Sequence, residues 1–276
     1  MMTIIFIILL IVSTGLISCR ENKKESLLET ASESVAEVKD SDIGCDSVVG
    51  NVPVAADGSF DDFIWNFMRD KKFQYARVQF PLPEKTDGKT ISRSKAQWHF
   101  DALYANESTY AIIYDSETSI GHEKEKSLKH VTVERVFLDK ERVKQYLFDK
   151  IEGKWLLTGV DTHPLSDSLN GDFFTFYRRF VTDPSFQRSH IANPFEFKTY
   201  DSDTFQEIDG VLDVEQWPDF MPDMPRHVLV NLDYEQKYAN SPTRVMILTS
   251  SSAGMSCTLV FKKTASSWQL TRLEDL

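Results

Sequence analysis

"FDKIEGKWLLTGVD" occupies residues 148–161, and "FKKTASSWQLTRLED" closes the chain at 261–275. The two phrases agree at one offset. Phe148 and Phe261, Lys150 and Lys263, Trp155 and Trp268, Leu157 and Leu270, and Thr158 and Thr271 all stand 113 positions apart. The same offset holds, without a gap, far upstream. Gly58, Phe60, Phe63, Phe67, Asp70, Phe73, Gln74 and Pro81 match Gly171, Phe173, Phe176, Phe180, Asp183, Phe186, Gln187 and Pro194. The middle drifts: Gln97-Trp98 meets Gln216-Trp217 at 119, and Asp115 meets Asp233 at 118. Chance does not set this many identities at one offset at both ends of a unit. The chain is therefore expected to be a tandem duplication, with an insertion near 195–225 in the second copy. The period exceeds the roughly 20–50 residues of solenoid repeats, so each copy is expected to be a domain with its own core. The boundaries fall at 58–162 and 169–276, around the turn-rich "VDTHPLSDSLNG" (160–171).

Each copy opens on an amphipathic helix. Phe60, Phe63, Ile64, Phe67 and Met68 recur at helical spacing, as do Phe173, Phe176, Tyr177, Phe180 and Val181. Ser59 and Asp62 form a capping pair. Asp183-Pro184 reads as N-cap and first residue of a second short helix, with Asp70-Lys71 its counterpart. After Pro81 and Pro194 the pattern turns to strands: "TYAIIYD", "KHVTVERVFLD", "HVLVNLD", "RVMILTS" and a closing hairpin in each copy. In "MSCTLVF", Met255, Cys257, Leu259 and Phe261 are expected on one face.

Helices followed by a curved antiparallel sheet, in about 105 residues, make an α+β layout. This order resembles the nuclear-transport-factor-2-like cone, in which a bent sheet wraps a helix and leaves a pocket. The chain as a whole is similar to uncharacterised bacterial envelope lipoproteins built from two such domains. The resemblance rests on element order and the duplicated W-x-L-T hairpin, and it implies a fold far more than an activity.

The N-terminus gives an address. Residues 1–17 carry no charged side chain, too short a run for the ~20 residues of a spanning helix, and Cys19-Arg20 ends it. Leu16-Ile17-Ser18-Cys19 resembles the lipobox of bacterial lipoproteins. That resemblance implies a signal peptide at 1–18, acylation of Cys19, and stable anchoring by two or more chains, most naturally to the outer membrane. Residues 19–57 are polar and rich in Ser, Glu and Lys, as a tether requires, with 47–58 apolar enough to lean on the first domain.

Net charge is −11 at pI 5.1, with no cluster of Lys or Arg, which excludes a nucleic-acid groove. No Gly-rich phosphate loop and no G-x-S-x-G elbow is present. His99 and Asp101 in "WHFD" lack a third ligand at a telling distance, so neither a metal nor any cofactor is expected. Cone-shaped enzymes place an Asp or His in an apolar pocket, which singles out Asp115 and Asp233 as candidate acid–base groups. Each ends an apolar strand, and an Asp there also starts a turn through its side-chain oxygen. Tyr114, Trp98 and the aromatic and Met-rich stretch 215–227, with Trp217, Phe220, Met221 and Met224, are candidate binding residues. That stretch reads as a lid or partner loop, or as a plug for the second cone. Cys257 reads as a buried core thiol in preference to a bridge with Cys45. Trp65, whose repeat partner is Arg178, stands at the border of its helix's apolar stripe.

The leading expectation is a non-enzymatic binding module on a lipid anchor, taking a small apolar ligand or another envelope protein. The alternatives are an isomerase, dehydratase or hydrolase using Asp115 or Asp233, and a structural component with filled cones.

Overall fold

The computed structural model describes residues 54–275 apart from 202, 205, 252 and 253. Cys19, Cys45, the signal segment and most of the tether lie outside the described residues. The elements run α1 (Phe60–Arg69), α2 (Lys71–Ala76), β1 (Leu82–Thr86), β2 (Lys89–Arg93), β3 (Thr109–Tyr114), β4 (His130–Phe137), β5 (Arg142–Ile151) and β6 (Lys154–Pro164). They continue as α3 (Gly171–Thr182), α4 (Pro184–Ser189), β7 (Ile191–Tyr200), β8 (Glu207–Leu212), α5 (Trp217–Phe220), β9 (Val228–Asp233), β10 (Thr243–Ser250), β11 (Ser256–Lys263) and β12 (Trp268–Asp275). The fold is α+β and rich in sheet.

The helices start where the sequence places them. The Ser59 side chain accepts from Asp62 N–H at 3.1 Å. Asp70 both closes α1 and caps α2, its Oδ1 accepting from Lys72 and Phe73 N–H. Asp183 repeats the cap at α4, with Pro184 as the first residue. Phe80-Pro81 and Asn193-Pro194 are both cis. Two hairpin turns, Asp87-Gly88 and Glu152-Gly153, hold both residues at positive φ, the mirror-image turn that suits right-twisted strands.

The duplicated phrases form the core. Phe60 meets Phe148 and Trp155 at 5.4 and 5.1 Å between ring centroids. Phe173 meets Phe261 and Trp268 at 5.2 and 5.4 Å. Edge-to-face pairs of this kind add about 1 kcal/mol each beyond area burial.

Among the described residues the strands join one twelve-stranded sheet in the order β2-β1-β6-β5-β4-β9-β3-β10-β11-β12-β7-β8. The two halves trade their middle strands. β4 pairs antiparallel with β9 of the second half, and β10 pairs antiparallel with β3 of the first. Thus Val230, Leu232 and Tyr234 pack in the first core, and Ala111 and Ile113 in the second. Along β3, Ala111 and Ile113 face the second core while Tyr110 and Ile112 face the first, so the cores flank the sheet's centre on opposite faces. The sequence reading has each half close its own core; in the structure each borrows a strand. Offsets along a chain carry no information about which half a strand pairs with.

The extra residues of the second half also have a specific place. They lengthen the β7–β8 hairpin, and a longer β3–β4 connection restores the register. The stretch 215–227 itself has an equal-length counterpart at 96–108, each preceded by a small capping box at Ser94 and Asp213.

At the chain's described start, Asp57 packs against the first half. Its carboxylate pairs with Arg77 at 2.8 Å and accepts from Trp155 N–H at 3.0 Å. Met255 falls outside β11 and is exposed, while Cys257, Leu259 and Phe261 share the second core.

Candidate functional site

α1 is amphipathic with one edge left over. Its apolar stripe fills the first core, while Asp61, Trp65 and Arg69, spaced four residues apart, form a column along the border. This column lines a cavity of about 290 Å³ together with Ile64, Met68, Tyr104, Ala105, Tyr110 and Leu232, with Thr249 near the end of β10, and with Ser251 and Gly254 of the β10–β11 turn. The strand exchange builds the wall: Leu232 comes from borrowed β9, and the turn comes from the other half.

Asp61 lines the cavity and is exposed as a residue, while its carboxyl is in contact with Tyr234. Tyr234 donates its hydroxyl to Asp61 Oδ1 at 2.8 Å. Burial raises the carboxyl's proton affinity, the Tyr234 hydrogen bond opposes this, and the charges of Glu123 and Asp62 add to the rise. Glu123 itself accepts the Tyr114 hydroxyl. Burial pushes the phenols of Tyr104 and Tyr110 up, and nearby Asp61 reinforces both. The Arg69 guanidinium lies over the Trp65 ring, and Trp65 is 52% exposed. The site is an aromatic hollow with a carboxylate at one end of the helix column and a guanidinium at the other.

The corresponding place in the second half is closed. At the 113 offset, Asp61 becomes Phe174, buried in the second core, and Trp65 becomes Arg178, paired with Glu141. The Tyr177 hydroxyl donates to Pro225 O at 3.1 Å, drawing the 217–226 loop onto the helix. Trp217 and Met224 are buried there and Met221 packs beside them, while Phe220 stays exposed with its ring 5.1 Å from Phe197. The loop acts as a plug.

The other residues singled out from sequence lie elsewhere. Trp98 is buried over the first core and donates to Gln74 Oε1 at 3.2 Å. Tyr114 is buried on β3. Asp115 accepts from Ser119 Oγ and Ser116 Oγ and from Lys237 N–H. Burial works against its charge, but these hydrogen bonds and Arg244 win, holding its proton affinity below the usual range. It is a turn-former kept ionised. Asp233 also starts a turn, accepting from Gln236 N–H at 2.9 Å. Burial first, then the neighbouring charge of Glu134, pushes it up to about 8. Neither aspartate lines the cavity.

His99 is exposed in an irregular stretch, while Asp101 accepts from Tyr146 Oη at 2.6 Å and from Lys144, so the two do not form a joint site. Among the described residues no group of three or more His, Cys, Asp or Glu is placed to hold a metal. Cys257 is buried, and burial, with Asp275 adding, pushes its thiol up to about 11.

Sequence reasoning missed Asp61 because it looked for acids at strand ends. The available signal was where the two halves, aligned at the 113 offset, disagree in character along one helix edge: Asp against Phe, Trp against Arg.

A family described as a domain of unknown function, DUF4348, matches residues 43–275. The chain belongs to this family. The crystal structure of an NTF2-like protein from Bacteroides fragilis is similar over 81% of this chain and 98% of that one, at 36% identity and a TM-score of 0.75. The chain is thus an NTF2-like domain protein. No curated protein matches it.

Proposed function

We propose that this protein is a non-enzymatic binding module, held on the bacterial envelope by an acylated Cys19, whose first cone takes a small ligand. The observation that carries the reading is the asymmetry of the halves. One helix edge bears Asp61 and Trp65 over an open, largely apolar hollow; its counterpart bears Phe174 in a filled core. Pockets that bind small molecules combine apolar walls with few convergent polar groups. Two helix-then-sheet runs with matched cores suit an ancestral duplication in which one copy kept a pocket and the other became scaffold. The Leu16–Cys19 lipobox and the polar tether support the anchor and an outer-membrane location.

An acid–base role for Asp233 has the weaker support, because its raised proton affinity comes without a cavity beside it. Native mass spectrometry of the protein from its own envelope tests the binding reading, with Leu232→Trp as the filled-pocket control. A copurified mass of a few hundred daltons in the wild type, absent from Leu232→Trp, is expected. Equal ligand mass in both proteins, or none in either, would sink it.

A further inference from the structure

The sheet ends on β2 at one side and on β8 at the other. Among the described residues β2 pairs with β1 alone, and β8 with β7 alone. Both strands stand clear of the cores, with 89–92 and 207–211 exposed throughout. Their free backbone groups can be located. Pro83 has no N–H and stands opposite Ser92, so the alternation of an antiparallel pair turns the N–H and C=O of Thr90 and Ser92 outward. The Asp201 N–H donates to Gln206 O, and the same alternation turns those of Glu207, Asp209 and Val211 outward.

The two edges also differ in charge. β2 carries Lys89 and Arg93 and no acid, whereas β8 carries Glu207 and Asp209 and no cation. Arg93 is paired with Glu84, while Lys89 makes no ion pair among the described residues. Lys198 alone serves both acids of β8, at 2.7 and 3.3 Å, which leaves that edge with an uncompensated negative charge. Each edge shows an apolar side chain to solvent, Ile91 at 56% and Val211 at 66%.

We propose that β8 of one molecule receives β2 of a second copy of this chain as a parallel neighbour, continuing the sheet from molecule to molecule. With Thr90 opposite Gly210, the Thr90 N–H donates to Asp209 O, the Val211 N–H to Thr90 O and the Ser92 N–H to Val211 O, the bond pattern of a parallel pair. That register sets Lys89 beside Asp209, Ile91 beside Val211 and Arg93 beside Asp213. Pairing like edges would set cations against cations or acids against acids. The charges that guard each edge against its own kind therefore select the opposite edge. The contact is head to tail, and every added molecule leaves one β2 and one β8 free, so an open chain forms. Strands of 5 and 6 residues bury less than the ~1,000 Å² of a stable interface, so the association is weak and reversible.

The test is disulfide trapping in the purified full chain carrying Cys45→Ser, with Ile91→Cys and Val211→Cys added singly and together, and the parent chain as baseline. Both added positions are exposed, so the fold is not at stake. On a non-reducing gel after mild oxidation, the double variant should give a ladder of dimers, trimers and longer chains. Each single variant should match the baseline, and an equal mixture of the two should stop at the dimer. Adding Lys89→Glu and Arg93→Glu should cut the trapped fraction about tenfold, through lost attraction and new repulsion. Reversing Asp209→Lys and Asp213→Lys in the same chain should restore it. A double variant no different from baseline overturns the inference. So do single variants that dimerise as readily as their mixture, or a trapped fraction indifferent to the charge reversal.

Discussion

The Gln74 side chain is wholly buried and uses both ends of its amide. Nε2 donates to Phe67 O and Asp101 O at 3.0 and 2.7 Å; Oε1 accepts from Trp98 Nε1 and Asp101 N–H at 3.2 and 3.0 Å. One amide thus ties both helices to the loop that covers the first core. Gln74→Leu leaves these partners unpaired in the interior and is expected to cost about 3 kcal/mol, read from the urea midpoint. Asp233 yields a second prediction. Its native proton affinity, raised to about 8, exceeds that of the unfolded chain, near 3.9. Between those values the native state holds more protons, so stability falls as pH rises through the window and is fully present below it. Buried Glu134, raised in the same direction by burial, adds to the slope. Melting temperature measured from pH 5 to 9 should decline in the wild type and decline less in Asp233→Asn; identical slopes would count against this assignment.

At the scale of elements, the paired helices explain why one aspartate recurs between them. Asp70 and Asp183 leave helical geometry, end one helix and cap the next. Asp70→Ala and Asp183→Ala should each cost about 1 kcal/mol, the worth of an N-cap, and circular dichroism with denaturant gives the check. Phe60 and Phe173 hold the helices to the closing hairpins. Phe60→Ala is expected to lose about 4 kcal/mol through lost burial and a cavity amid Phe148, Trp155 and Tyr234. A loss below about 1 kcal/mol would mean that the cluster is not the core it is taken to be.

Over the whole molecule, the exchange of β3 and β9 makes the halves interdependent. The first core without Val230, Leu232 and Tyr234, or the second without Ala111 and Ile113, exposes apolar surface and a bare strand edge. Calorimetry should therefore give one transition with van't Hoff and calorimetric enthalpies in agreement. A fragment ending at residue 168 should fail to fold by itself. Two resolved transitions, or a folded half, would show the cores to be separable.

The sequence by itself determined the helices, their caps and the closing hairpins, because each depends on residues near one another in the chain. Phe, Trp and Leu at fixed spacing specify which faces are buried, and Asp before a helix specifies where it begins. The identity of the plug was half legible: Trp217 and Met224 were visible as apolar, but only their burial separates a plug from a lid. Which strand joins which half was decided by tertiary structure, since Ile113 and Val230 satisfy either core equally by pattern. The candidate site depended on the same step. Asp61 is an ordinary exposed first-turn acid until borrowed Leu232 and the distant β10–β11 turn complete a cavity beside it, and such a cavity is a property of packing that no local pattern carries.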